Sequence, residues 1–182
     1  MLLTMFLFGF RISEQLGLTV DSFDFKDNTV EIYHAVTIKG RKGIEIVSPK
    51  TSAGERVNSI PQLYADLIQK HIKKYKLKNN DFIFFRYKTH QSRENHQLPV
   101  HENTCRRALD YYCKKYNSDF HPHMLRTSIC THLREKGIPI EDISHYLGHN
   151  DIKVTEEYYS KVSLKKEDSL NKAIDDILKK IL

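Results

Sequence analysis

The side chains best suited to chemistry in this 182-residue chain are cations, histidines and two adjacent tyrosines, which lie far apart in the sequence. A phosphodiester under attack gathers negative charge on its non-bridging oxygens. Two arginines suit that charge, because each guanidinium can donate two parallel hydrogen bonds to it. The candidate residues are Arg11, Lys50, His123, Arg126, His149, Tyr158 and Tyr159.

A tyrosine can act as the nucleophile of such a reaction if its neighbours help to remove its proton. The unperturbed pKa of tyrosine is about 10, so ionisation at pH 7 costs about 4 kcal/mol. A nearby histidine and cationic groups reduce that cost. The leaving 5′ oxygen needs a proton, and Lys50, at the tip of a predicted hairpin, is a candidate acid. Each strong electrostatic donor lowers the barrier by about 3–4 kcal/mol, so this set of side chains requires no metal ion.

Several of these features also have an ordinary structural interpretation. Arg11 and Glu14 are spaced for an i,i+3 salt bridge at a helix end, and a lysine at a hairpin tip is usually solvated. The HPH sequence at 121–123 and the pair His145 and His149 resemble fragments of zinc sites. A structural zinc site uses four ligands, however, and no nearby cysteine or carboxylate cluster completes such a set.

The elements that must position these side chains are mainly helical. Residues 2–16 predict one helix with a buried apolar start. Residues 29–60 predict a meander of three short antiparallel strands, TVEIYHAVTI, GIEIVSP and RVNSI, because they are rich in β-branched residues and turn signals. From Pro61 onward the pattern is mostly that of amphipathic helices. The expected fold class is α+β, mainly α: a single helical domain over residues 1–182 with a small three-stranded antiparallel sheet on one edge.

The helical part contains several distinct amphipathic segments. The helix starting after Pro61 is expected to bury Leu63, Leu67, Ile68 and Ile72. The helix in NTCRRALDYYCKKY is expected to stack Cys105, Leu109, Tyr112, Cys113 and Tyr116 on one face. Further helices are expected over 122–136, before Gly148, around the two tyrosines, and over 165–182. The last of these has an apolar stripe that must be buried somewhere.

Composition and charge limit the partners and the compartment. The 29 Lys and Arg against 23 Asp and Glu give a net charge of +6, with a pI near 9.1, which favours a polyanionic partner. The three cysteines form no CxxC pair and indicate free thiols in a reducing cytoplasm. The apolar start MLLTMFLFGF is about half the length of a membrane-spanning helix, so a buried helix is expected there and no membrane association.

Four segments together resemble the catalytic domain of the tyrosine recombinase family, the phage-type integrases. GFRISEQLGL is similar to the family's first arginine box, and SPKTSAGERVNSIP to its lysine-bearing hairpin. HPHMLRTSICTHL resembles the H-x-L-R box, and LGHNDIKVTEEYYSKV the terminal box with the nucleophilic tyrosine. The resemblance implies that the catalytic residues are Arg11, Lys50, His123, Arg126, His149 and Tyr159, of which Arg11, Lys50 and Arg126 contact DNA.

The same resemblance implies site-specific recombination of double-stranded DNA through a 3′-phosphotyrosyl intermediate. It implies no metal, nucleotide or other cofactor, a tetramer on DNA with the C-terminal helix docked in trans, and a bacterial or phage-encoded protein of the cytoplasm. Adjacent helical residues point about 100° apart, so only one tyrosine can react, and the family spacing favours Tyr159 over Tyr158. The family's earlier catalytic-domain helix and its core-binding and arm-binding domains are expected to be missing from this chain.

Three other functions are compatible with parts of this pattern. A type IB topoisomerase uses the same tyrosine chemistry to relax supercoils. A catalytically inactive DNA-binding remnant would keep the fold, although all six catalytic positions are filled here. A metal-dependent hydrolase built on the histidine pairs would need a larger ligand set.

Overall fold

The protein is described here by a computed structural model over residues 1–38, 44–47, 55–86, 95–119 and 121–148. Six helices and seven short strands lie within these ranges, so the predicted fold class, α+β and mainly α, is confirmed. The helices are α1 (Leu2–Phe8), α2 (Ile12–Leu16), α3 (Gln62–Tyr75), α4 (Glu102–Lys115), α5 (Pro122–Glu135) and α6 (Ile140–Leu147). The strands are β1 (Phe23–Asp24), β2 (Thr29–Ile32), β3 (Ala35–Ile38), β4 (Ile44–Val47), β5 (Arg56–Ser59), β6 (Phe85–Arg86) and β7 (Asn95–Pro99).

The prediction of one continuous helix over residues 2–16 is wrong. α1 ends because Gly9 adopts the left-handed conformation, with φ 58°, and its N–H donates to Met5 O at 2.9 Å. Glycine suits that conformation because it has no Cβ. α2 then begins after Arg11, whose extended backbone (φ −63°, ψ 148°) caps the new helix. The break therefore places Arg11 at the start of a helix and not on the flank of one.

The predicted meander is also wrong in its pairing, although a three-stranded antiparallel sheet is present. The segment 29–38 divides into β2 and β3, and RVNSI pairs with β2, with Ile32 opposite Arg56. The third strand of that sheet is β1, in the order β1-β2-β5. β4 pairs instead with β3 in a separate two-stranded ladder. Strand propensity identified these segments, but it does not specify which segments become neighbours.

The core is formed where α1 and α6 both pack against α5. Side chains that are 0% exposed from all three helices meet there: Leu7, Phe8, Ile129, Leu133, Ile143 and Leu147. Full burial of such a side chain is worth about 1.5–3 kcal/mol. The apolar N-terminal segment is thus buried in the core, as expected. Within the described residues no helix is both long and apolar enough to cross a membrane.

For α3 to α6, the sequence predicted where each helix ends better than it predicted which residues each helix buries. Gly137 and Gly148 both have left-handed backbones, with φ 80° and 68°, close after α5 and α6, as expected of glycines that end helices. α4 buries Cys105 and Leu109, whereas Tyr112 and Tyr116 are 47% and 67% exposed. On α3 the buried residues are Tyr64, Ala65 and Ile68, and Leu63 is exposed. The apolar periodicity located these helices, but tyrosine, with its polar tip, is a poor guide to which face is buried.

Candidate active site

Arg126 lies on α5 and is held in place by main-chain carbonyls from two other helices. Its Nη1 donates to Gly9 O, at the end of α1, and its Nη2 donates to Leu147 O, at the end of α6, at 2.6 Å. Carbonyls at the end of an α-helix have no partner within the helix, so they are available to an incoming guanidinium. The residue is only 6% exposed. Its guanidinium is therefore fixed by the ends of two helices that are remote in sequence.

Arg11 is more accessible, and a buried carboxylate holds it. Its Nη1 donates to Glu14 Oε1 at 2.6 Å, and its backbone N–H donates to Glu14 Oε2 at 3.0 Å. Its Nη2 also donates to Gly148 O at 3.1 Å. The Arg11 side chain is 46% exposed, whereas that of Glu14 is 3% exposed. The i,i+3 salt bridge expected from the sequence is present, and Glu14 also orients the arginine through its backbone.

A third arginine, Arg56 on β5, belongs to the same cluster and was missed in the sequence analysis. Its Nη2 donates to Glu14 Oε2 at 3.1 Å, and its Nε donates to Tyr146 O at 3.1 Å. Asn58, two residues along the same strand, donates to Tyr146 O at 2.7 Å. Arg56 and Asn58 face inward, while Val57 between them is 51% exposed. The sequence signal is the alternation of polar, apolar and polar residues in RVN at 56–58, which places Arg56 and Asn58 on one face of the strand. Only the structure shows that this face points inward.

The C-terminal end of α6 is the point where the three arginines meet. Its last carbonyls, those of Tyr146, Leu147 and Gly148, accept hydrogen bonds from Arg56, Arg126 and Arg11 respectively. Such a helix end carries partial negative charge, which stabilises neighbouring cations. Gly148 has the left-handed conformation, and its N–H donates to His145 O at 2.9 Å. Three arginines from α5, β5 and the α1–α2 break are thereby brought to three consecutive carbonyl groups.

The electrostatics of the cluster keep its members ionised. Burial by itself would raise the pKa of Glu14, but the charge and hydrogen bond of Arg56, together with the hydrogen bonds from Arg11, outweigh it and lower the pKa below its ordinary value. Burial, followed by the nearby charge of Arg11, lowers the pKa of Arg126 to about 10. That guanidinium is therefore still charged at neutral pH. The cluster of three arginines and one carboxylate has an excess of positive charge.

Arg11 and Arg126 line one open pocket of about 440 Å³. The pocket lies between the α1–α2 break, the N-terminal turn of α4 and the start of α5. Its other lining residues include Ser13, Glu102, Arg106 and His121. Arg106 donates to Glu102 Oε1 from both Nε and Nη2, at 3.1 and 2.6 Å. The pocket is cationic overall and can accept an anionic group the size of a phosphodiester between Arg11 and Arg126.

Of the six predicted catalytic residues, the structure describes the side chains of Arg11 and Arg126 and brings them together. His123 lies in the first turn of α5, three positions before Arg126, and its backbone alone is described. Lys50, His149, Tyr158 and Tyr159 lie outside the described residues, as does the predicted helix over 165–182. Cys105, Cys113 and Cys130 are free thiols. In the described ranges no group of three or more His, Cys, Asp or Glu side chains is arranged to hold a metal ion.

Sequence comparison shows to which proteins this chain is similar. The Phage integrase family matches residues 1–165. A transposase from transposon Tn916 of Enterococcus faecalis is 29% identical over 163 residues, covering 84% of this chain and 39% of the transposase. Tyrosine recombinase XerA of Pyrococcus furiosus is 27% identical over 157 residues, covering 86% of this chain and 47% of XerA. The chain thus spans half or less of the length of these two relatives.

Solved structures share the fold. The integrase of transposon Tn1549, solved in complex with transposon right end DNA, superposes with a TM-score of 0.69 at 22% identity, covering 97% of this chain and 57% of that one. A crystal structure of XerA recombinase gives a TM-score of 0.61 at 16% identity, covering 98% of this chain and 56% of that one. These likenesses show that the helices and small sheets described above form the fold that these recombinases contain.

Proposed function

The chain belongs to the Phage integrase family, which matches it over residues 1–165, and from this membership we propose that it cuts and rejoins DNA in site-specific recombination. The observation that carries the proposal is the placement of Arg11 and Arg126 in one pocket, held on the adjacent carbonyls of Gly148 and Leu147. Two guanidinium groups that line one pocket suit the two non-bridging oxygens of a phosphodiester.

In the proposed reaction, Tyr159 attacks the scissile phosphorus and its proton passes to His123. The bond from phosphorus to the 5′ oxygen breaks, and Lys50 protonates that oxygen as it leaves. Arg11 and Arg126 stabilise the charge that develops on the non-bridging oxygens, and His149 donates a hydrogen bond to one of them. The 5′ hydroxyl of a second strand then attacks the phosphorus and gives its proton to Lys50. The bond from phosphorus to Tyr159 breaks, and His123 returns a proton to the phenolic oxygen. Because the phosphotyrosyl ester conserves the energy of the broken bond, the reaction needs no ATP. The positive charges of Arg11, Lys50 and Arg126 take the part that a metal ion has in nucleases.

Double-stranded DNA is the proposed partner. The net charge of +6 favours a polyanion, and the Tn1549 integrase, which shares the fold, was solved with transposon DNA. We further propose a tetramer on DNA, with the helix over 165–182 of one copy docked on its neighbour, in the cytoplasm of a bacterial host. The apolar stripe of that helix supports the docking, because such a stripe is unfavourable in water.

A covalent-capture experiment tests the proposal and identifies the nucleophile. The protein is incubated with a library of nicked duplexes of randomised sequence, in which the short strand bearing the 5′ hydroxyl is lost after cleavage and the ester accumulates. Denaturation in detergent, precipitation of protein-linked DNA and sequencing of the captured strand then recover the preferred site. Peptide mapping of the adduct is expected to place the DNA on Tyr159.

Two variants and one condition provide the controls. Tyr159→Phe is expected to abolish the adduct and to leave DNA binding close to that of the unmodified protein, since it removes only the phenolic oxygen. Tyr158→Phe is expected to form the adduct, as is the unmodified protein in EDTA. An adduct at Tyr158 would move the nucleophile by one residue. Cleavage that requires a divalent ion would overturn the tyrosine mechanism. The unmodified protein is also incubated with a supercoiled plasmid, and relaxed circles without recombinant products would indicate a topoisomerase.

A further inference from the structure

We propose that Arg56 is a positioning residue for strand cleavage, which holds Arg11 through Glu14 and the α6 end through Tyr146 O. Arg56 does not line the pocket that contains Arg11 and Arg126, so it acts through its neighbours and not on the substrate. This inference rests on the proposed function, because it assigns Arg56 a part in the same reaction.

The side chain of Arg56 connects two parts of the site that the chain itself does not connect. Its Nη2 lies 3.1 Å from Glu14 Oε2, and its Nε lies 3.1 Å from Tyr146 O. Glu14 in turn binds Arg11 Nη1, and Arg11 Nη2 binds Gly148 O, two residues beyond Tyr146. These contacts form a closed ring that runs from β5 to α2 and back to the end of α6. A displacement of Arg56 therefore affects both the anchor of Arg11 and the carbonyl groups next to it.

The position requires an arginine rather than any cation. Arg56 uses two different nitrogens in two directions while its guanidinium lies 5.5 Å from the centre of the Phe10 ring. The planar, delocalised guanidinium allows both the forked donation and the contact with an aromatic face, whereas lysine offers one compact ammonium on a flexible stem. The Arg56 side chain is 2% exposed, so water cannot readily replace a lost contact.

The charge of Arg56 also matters to the phosphate clamp. Glu14 has one negative charge and contacts two arginines. Since Arg56 shares that carboxylate, the charge of Arg11 is not fully neutralised by its own salt bridge and remains available to an anion in the pocket. The ring therefore fixes where Arg11 lies and preserves the positive charge at that place.

The test compares Arg56→Lys with the unmodified protein on a duplex recovered by covalent capture. The expected result is a single-turnover rate of adduct formation lower by about tenfold to a hundredfold, as when reacting groups are slightly misplaced. DNA affinity is expected to fall by a smaller factor than the rate, because Arg56 does not itself line the pocket and Arg11 keeps its charge. Rates are measured at a temperature where circular dichroism shows both proteins to be folded. Arg134→Lys, the same change in the last turn of α5, is the matched control and is expected to react at the unmodified rate.

A neutral substrate separates positioning from general loss of structure. A methylphosphonate at the scissile position lacks one of the charged oxygens, so a defect that acts through Arg11 should be smaller on it than on the phosphate. A defect of equal size on both substrates would overturn the proposal, as would a rate for Arg56→Lys equal to that of the unmodified protein. If Arg56→Lys does not fold, Glu14→Asp replaces it, since the shorter side chain draws the carboxylate away from Arg56 while keeping its charge. A wild-type rate from Glu14→Asp would then overturn the proposal, because the contact through which Arg56 holds Arg11 would be dispensable. Absence of any adduct with the unmodified protein would instead contradict the proposed function.

Discussion

Glu14 is the carboxylate on which the arrangement of Arg11 and Arg56 depends. It is 2% exposed, and both arginines donate to it. A buried carboxylate is unfavourable without partners, whereas one with hydrogen-bonded arginines is retained in its charged form. The cluster is therefore held together by one ionised group, and removing that group leaves a buried Arg56 charge without compensation from Glu14.

Replacing Glu14 by glutamine is expected to destabilise the protein by about 3–5 kcal/mol at pH 7, as found when one partner of a buried ion pair is removed. The folded-state pKa of Glu14 is lowered, so its contribution to stability is present above its unfolded pKa and is lost as the pH falls through the folded-state pKa. The difference in unfolding free energy between the unmodified protein and Glu14→Gln should therefore become smaller as the pH falls below about 4. Urea unfolding curves at several pH values measure both effects.

The exposed salt bridge between Glu102 and Arg106 provides the matched control. Its N–O distance is also 2.6 Å, but its side chains are 41% and 53% exposed. Glu102→Gln is expected to change stability by about 1 kcal/mol or less, because solvent screens an exposed pair. If Glu14→Gln and Glu102→Gln lower the free energy of unfolding by the same amount, burial of the Arg11–Glu14–Arg56 cluster contributes little to stability.

Two helix ends, those of α1 and α6, create the site at the level of secondary structure. Gly9 stops α1 and turns its own carbonyl toward Arg126, and the α6 end presents the carbonyls of Leu147 and Gly148. The two ends are in direct contact, because a Cβ at Gly9 would lie 2.4 Å from Leu147 Cδ2 and 3.3 Å from Arg126 Cγ. Gly9 thus has two functions: it allows the left-handed turn and it allows the two helix ends to approach each other.

Gly9→Ala is expected to destabilise the protein by more than backbone strain alone, which is about 1–2 kcal/mol for a residue in the left-handed region. The close contact with Leu147 adds about 1–3 kcal/mol of overpacking. Thermal or urea unfolding measures the total. Cleavage by the folded fraction is expected to fall as well, since Arg126 must shift.

Gly137→Ala separates these two effects. Gly137 also has a positive φ, of 80°, but a Cβ there meets no atom within 4 Å. Gly137→Ala should therefore lower the free energy of unfolding by the cost of backbone strain alone. It should cleave DNA at the rate of the unmodified protein. If Gly9→Ala and Gly137→Ala cost the same free energy, the close approach of α1 and α6 does not contribute to stability.

The whole molecule combines a net charge of +6 with a cationic pocket, which favours a polyanion, such as the proposed DNA partner, through long-range attraction as well as through contacts. Each protein–phosphate contact releases condensed counterions, so affinity falls as salt rises. The three residues proposed to contact phosphate are Arg11, Lys50 and Arg126.

Three phosphate contacts predict a slope of about −2.7 or steeper for the logarithm of the DNA-binding constant against the logarithm of salt concentration. Fluorescence anisotropy with a labelled duplex at several sodium chloride concentrations measures it. Arg11→Ala is expected to reduce the slope by about 1, and Arg134→Ala to leave it unchanged. A binding constant independent of salt would rule out phosphate contacts as the main source of affinity.

The sequence by itself determined the fold class, the family resemblance and two of the residues in the pocket. Amphipathic periodicity located α3 to α6, and the glycines after α5 and α6 marked where those helices end, because these signals are local. The four motif segments gave the resemblance that the match over residues 1–165 confirms. The residue types at Arg11 and Arg126 were enough to predict an anion clamp, since few other side chains donate two parallel hydrogen bonds. The roles of Lys50, His123, His149 and Tyr159 remain predictions.

Only the tertiary structure decided how the arginines are held. The break at Gly9, the pairing of β5 with β2, and the inward direction of Arg56 and Asn58 all depend on partners far away in the chain. Local sequence patterns give the period of an element, but not which of its faces meets another element. Arg56 could not be assigned from its neighbours because its two acceptors, Glu14 and Tyr146, lie 42 and 90 residues away. The end of α6 became a site for three arginines because helix packing placed its unpaired carbonyls where α2, α5 and β5 converge.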